Sequence, residues 1–89
     1  MKTITIIKYN DPGHGWYKVK RSLLTKLGIA GQITTYSYQR KDNVYLEEDC
    51  DATILFRALG LQGIICKVKW IQTNKRSKIR GYEYYNTRG

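Results

Sequence analysis

The chain has 89 residues, with 16 Lys or Arg against 7 Asp or Glu and a formal charge of +9. That length makes one domain with a small core, and an apolar share of 42% argues against a wholly disordered chain despite the charge. No apolar run approaches bilayer length and residues 1–8 are too few and too polar for a signal peptide, so a cytoplasmic chain without membrane contact is expected, with Cys50 and Cys66 as reduced thiols.

Residues 3–9 are β-branched and apolar, with Ile4 and Ile6 on one face, and predict a first strand. Asn10, Asp11, Pro12 and Gly13 are turn residues. Residues 16–20 alternate and predict a second strand, after which Ser22 is placed to cap a short helix carrying Leu23, Leu24 and Leu27 and ending at Gly28. Residues 33–39 predict a third strand. It turns at residues 40–43 into a hairpin partner over residues 44–48. Asp49 or Asp51 is expected to cap a second helix with Ile54, Leu55, Ala58 and Leu59 as its apolar stripe, closed by Gly60. Ile64, Cys66, Val68 and Trp70 then alternate with Ile65, Lys67, Lys69 and Ile71, the clearest strand pattern in the chain. After a basic loop at residues 72–78, residues 79–85 form either a last strand, with Tyr82 and Tyr84 on one face, or an extended tail.

The implied class is a single α+β domain: a mainly antiparallel sheet covered on one face by two short helices, in the order β-β-α-β-β-α-β with a final strand as the open alternative. Residues 27–33 also match residues 59–65, each as a helix ending at a left-handed glycine before a strand. Two units are too few for a repeat array, so the pattern reads first as the same helix-to-strand connection used twice.

The charge is uneven. From Lys67 onward there are seven Lys or Arg (Lys67, Lys69, Lys75, Arg76, Lys78, Arg80, Arg88) against Glu83 alone, with Trp70, Tyr82, Tyr84 and Tyr85 among them. Cationic heads beside flat rings suit phosphates and bases. The expected nucleic-acid or anion surface is therefore Lys67, Lys69, Lys75, Arg76, Lys78 and Arg80, with Tyr36, Tyr38, Tyr82 and Tyr84 as stacking platforms. The bland alternative is a solvated sheet face whose Tyr rings cover the core edge. His14 stands between two glycines and before Trp16, so His14 and Trp16 are candidate ligand contacts. Catalysis would need a second group beside the imidazole, which the sequence does not place. Glu47, Glu48, Asp49 and Asp51 lack the remainder of a calcium loop, and one His with two distant Cys makes no zinc signature; helix capping is the stronger role for them. No catalytic residue, metal or cofactor is expected, and the chain is read as non-enzymatic.

The segments Gly13-His14-Gly15-Trp16, Leu27-Gly28-Ile29, Tyr36-Ser37-Tyr38 and Tyr45-Leu46-Glu47-Glu48-Asp49-Cys50-Asp51 resemble small accessory proteins of bacteriophages and mobile elements. The resemblance runs from about Asp11 to about Leu59 and carries no residue-level role. It implies a protein acting in the cytoplasm of an infected bacterial cell. Proteins of that kind are often counter-defence factors, among them anti-CRISPR inhibitors and nucleotide-sequestering sponges. The partner expected is thus nucleic acid, a nucleotide, or a host protein that processes nucleic acid, with the oligomeric state left open.

Overall fold

A computed structural model describes residues 2–87. Six strands and two helices follow one another as β1 (Thr3–Asn10), β2 (Gly15–Lys20), α1 (Arg21–Lys26), β3 (Tyr38–Arg40), β4 (Asn43–Glu47), α2 (Asp51–Leu61), β5 (Ile65–Gln72) and β6 (Glu83–Tyr84). The strands form one sheet in the order β5-β1-β2-β4-β3-β6. Every pairing is antiparallel except β1 with β5, because α2 carries the chain across the sheet before β5 begins. The protein is an α+β domain with both helices on one face.

The registers give each face its chemistry. On the helix side, Ile6 meets Val68, Val19 meets Val44, and Tyr17 meets Leu46. These side chains join Leu24, Leu55, Leu59, Ile29, Ile33 and Tyr85 in the main core. Farther along the same face, Lys8 lies between Tyr17 and Trp70. Its ammonium sits 5.2 Å and 4.6 Å from their ring centres and pairs with Glu48 at 3.1 Å, so its charge is held beside the core without an orphaned partner. On the opposite face one row crosses all six strands: Lys69, Ile7, Lys18, Tyr45, Tyr38, Tyr84. The sheet is basic at its β5 end and aromatic at its β6 end.

Several local expectations change. Residues 33–37 are not a strand: the buried Asp51 carboxylate accepts from the Thr34 N–H (3.1 Å), the Thr34 hydroxyl (2.9 Å) and the Ser37 hydroxyl (2.6 Å), which bends the segment into a turn and leaves only Tyr38–Arg40 extended. Ser22 caps nothing, since β2 runs directly into α1 and the capping position falls on Lys20. Neither Asp49 nor Asp51 caps α2. The Glu47 carboxylate does so from the end of β4, accepting from the N–H groups of Asp49 (2.9 Å), Cys50 (2.7 Å) and Asp51 (3.0 Å).

Gly60 lies inside α2, and the left-handed residue after that helix is Gly63 (φ 67°), as Gly28 (φ 73°) is after α1. The same pair of bonds closes both ends: Ile29 N–H to Leu24 with Gly28 N–H to Thr25, and Ile64 N–H to Leu59 with Gly63 N–H to Gly60. This is the Schellman arrangement. It aligns Gly28 with Gly63, so the match of residues 27–33 to 59–65 is out of register and the two connections are separate uses of one motif.

Residues 79–85 are neither a full strand nor a free tail. A 3-10 turn (Lys78–Gly81) precedes the two-residue β6. Ile79 is buried against Trp16 and Tyr45, and the Tyr85 hydroxyl donates to the Ala30 carbonyl at 2.6 Å. The C-terminal segment is thus a strap that leaves β5 at one edge, crosses the face opposite the helices and joins the other edge. Arg88 lies outside the described residues.

Candidate nucleic-acid interface

The site begins in the turn between β1 and β2. Asp11 accepts the N–H groups of Gly13 (3.0 Å) and His14 (2.9 Å) on one carboxylate oxygen, closing an Asx-type turn. It also receives Ser77 N–H (3.0 Å) and both arms of the Arg80 fork (2.7 and 2.9 Å). This two-pronged bond ties the strap to the turn. The Arg80 guanidinium holds the Asp11 carboxyl far below the usual carboxylate range, overriding the upward push of its burial, and the three backbone N–H groups add to the effect. Reciprocally, Asp11 raises the Arg80 value. The two glycines flanking His14 are required by space: a Cβ on Gly13 would lie 2.9 Å from Arg80 Nη2, and one on Gly15 would lie 2.7 Å from Lys8 Cε and 2.9 Å from Glu48 Oε1.

Arg80 fixed in this way lies over the Trp16 ring, 5.3 Å from its centre. Trp16 meets the Tyr38 ring edge-on at 6.3 Å, and Tyr84 stacks on Tyr38 at 5.5 Å and 23°. His14 leans toward Trp16 at 6.2 Å. Together His14, Trp16, Tyr36, Tyr38, Glu47 and Arg80 line a cavity of about 320 Å³. A second hollow of about 210 Å³, sharing Arg80, is lined by Asp11, Pro12, Gly13 and Arg76. Tyr36 is 66% exposed and Tyr84 65%, so a ring face of each is open to a ligand.

Of the residues singled out from sequence, His14, Tyr36, Tyr38 and Arg80 therefore meet in one concavity over Trp16, which is 3% exposed and forms its floor rather than an open contact, with Arg76 beside it and Tyr84 on its rim. Lys75 and Lys78 are exposed on the strap. Tyr82 is not an open stacking platform: its ring packs 5.1 Å from that of Tyr45, with the Arg40 guanidinium over it at 5.2 Å. Lys67 and Lys69 do not join the cavity. They stand on β5, two strands from Trp16 on β2 and four from Tyr38 on β3, about 10 and 19 Å at the usual strand spacing.

Two residues of the site were not placed in it from sequence. Asp11 was visible only as a turn former, although an Asp before Pro-Gly is the Asx-turn signal; its bond to Arg80 spans most of the chain and has no local trace. Glu47 lies in the cavity wall, yet its oxygens serve the start of α2. Burial raises the Glu47 carboxyl, but hydrogen bonds from Asp51, Cys50 and Asp49 and the nearby His14 outweigh it and leave the value lowered, so the group is a fixed negative charge. The His14 imidazole makes no hydrogen bond to any described residue, and its nearest acidic neighbour in the cavity is already committed. Among the described residues no three His, Cys, Asp or Glu side chains gather to hold a metal ion. Both cysteines are free thiols, and burial pushes Cys66 up. No helix is long and apolar enough to cross a membrane.

Comparisons of the chain with protein-family models, with curated proteins and with solved structures gave no match.

Proposed function

We propose that the chain is a small non-enzymatic accessory protein that binds single-stranded nucleic acid by taking one unpaired base into the cavity between His14, Tyr36 and Tyr38, above the buried Trp16. The observation that carries this reading is the meeting of three accessible rings, His14, Tyr36 and Tyr38, with one anchored guanidinium over a buried Trp16 in a single hollow on the strap side of the sheet. Rings accept any base by stacking. The fixed charge of Glu47 repels a phosphate from the cavity wall, so the base enters and the phosphates stay outside, beside the exposed Arg76 and Lys78, the Arg80 charge being already paired with Asp11. A duplex hides the faces of its bases and is expected to bind more weakly.

The setting in this reading is the cytoplasm of an infected bacterial cell, in keeping with the resemblance of the segments around His14 and Glu47 to bacteriophage accessory proteins. Titration of labelled single- and double-stranded DNA and RNA at two salt concentrations tests it. Binding to single strands that weakens as salt rises supports it; no binding to any of the four at low salt ends it. The small cavity favours one second reading, a nucleotide-sequestering sponge, because its volume lies at the lower end of small-molecule pockets. Free mononucleotide binding as tightly as an oligonucleotide would point to that alternative.

A further inference from the structure

We propose that the outer edge of β5 is a docking site for an extended strand of another protein in which acidic and apolar residues alternate. This surface is separate from the cavity and does not depend on it. β5 is an eight-residue strand at the end of the sheet, paired through its whole length with β1 on one side only. Its outer edge offers a row of backbone donors and acceptors, and among the described residues no strand covers them. The opposite edge, β6, has only two residues.

The side chains decide what can dock. Ile65, Lys67, Lys69 and Ile71 share one face, and all are exposed. Trp70, 64% exposed, stands on the other face beside Val68. Large apolar groups are thus left in water on both sides of two lysines. Neither lysine is matched: the ion pairs of the described residues are Lys8 with Glu48 and Arg80 with Asp11.

A second copy of the chain is a poor occupant. Antiparallel self-pairing centred on Val68 sets Lys67 of each copy against Lys69 of the other, and in-register parallel pairing sets each lysine against itself. A partner strand with two carboxylates opposite Lys67 and Lys69, and apolar residues opposite Ile65, Val68 and Ile71, meets every group at once. The lysines therefore reject self-association and select an acidic, apolar strand with the same two charges.

The probe is a blocked, fluorescent peptide Val-Thr-Glu-Val-Glu-Thr-Val, with a control carrying Lys at both Glu positions. Wild type is expected to bind the Glu peptide at least about tenfold more tightly than the Lys peptide, and the double variant Lys67→Glu with Lys69→Glu to reverse that order. Equal binding of the two peptides to wild type, or no binding of the Glu peptide at about 1 mM, overturns the proposal. Should the double variant fail to fold, the two peptides on wild type still decide. The single variant Lys67→Glu is expected to turn a monomer into a dimer on gel filtration, because antiparallel pairing centred on Val68 then sets a carboxylate against Lys69 at both ends. A wild-type dimer broken by proline at Cys66 or Trp70, whose N–H groups face the outer edge, would show that a second copy already occupies the edge, and overturns the proposal.

Discussion

Leu24, Leu46, Leu55 and Leu59 lie on the helix side of the sheet and are at most 1% exposed, in a core made by two helices that cross strands already in register. Trp16, Tyr45 and Ile79 lie on the opposite side, and they are buried because a strap of irregular chain folds back over them. The first side is held by apolar area spread over many residues. The second is held at a few points, the Asp11 bonds to Ser77 and Arg80 and Ile79 in its aromatic socket, and the strap ends where Tyr85 enters the main core and bonds Ala30. A face of the second kind can present rings and charges to a ligand, since nothing requires it to be sealed. In the proposed function, stability and recognition thereby fall on opposite faces of one sheet.

Substitutions that break one side and spare the other test this division. Leu55→Ala is expected to have the largest effect, lowering stability by about 3 kcal/mol and reducing the cooperativity of the whole domain in denaturant unfolding. Ile79→Ala should cost about 2 kcal/mol. In contrast to Leu55→Ala, it should raise hydrogen exchange chiefly in residues 73–84 and around Trp16.

Asp11→Asn sharpens the comparison through pH. The folded carboxyl is depressed below its unfolded value near about 4. Its contribution is therefore complete above that pH and is lost progressively as the pH falls, because the unfolded chain takes up a proton that the folded chain resists. Stability of wild type measured from pH 5 to pH 2 should accordingly fall more steeply than that of Asp11→Asn; parallel curves would contradict the role of Asp11. The smallest effect on stability is expected for Tyr36→Ala, within about 0.5 kcal/mol of wild type. The same change should weaken single-strand binding about tenfold, because the ring it removes is exposed and holds nothing else in place.

The helix side was legible in the sequence because its signals are local. Alternation gave β5, a stripe gave α2, and Lys67 and Lys69 were correctly set opposite Val68 and Trp70. What was not legible lies on both sides, in helix ends and in bonds between side chains whose partners residue type alone does not name. Asp51 turns residues 33–37 away from the strand their β-branched residues favour. Glu47 takes the capping role that composition assigns to Asp49 or Asp51. Arg80 finds Asp11 at the far end of the sequence.

The candidate site divides in the same way. His14, Trp16, Tyr36 and Tyr38 were recognisable by type, and Arg80 by charge. Their meeting depends on the strap, and so does the loss of Tyr82 to packing. Lys67 and Lys69 belonged to the same basic count but stand on another part of the surface, since net charge carries no geometry.

The central claim is that the cavity takes an unpaired base. It is tested most directly by fluorescence titration of Trp16 and its neighbouring tyrosines with a short single-stranded oligonucleotide, comparing wild type with Tyr36→Ala at low and moderate salt. The prediction is saturable quenching by the single strand, weaker with the corresponding duplex, shifted about tenfold by Tyr36→Ala and lost progressively as salt rises. Equal affinity of wild type and Tyr36→Ala, or a duplex bound as tightly as the single strand, would contradict it.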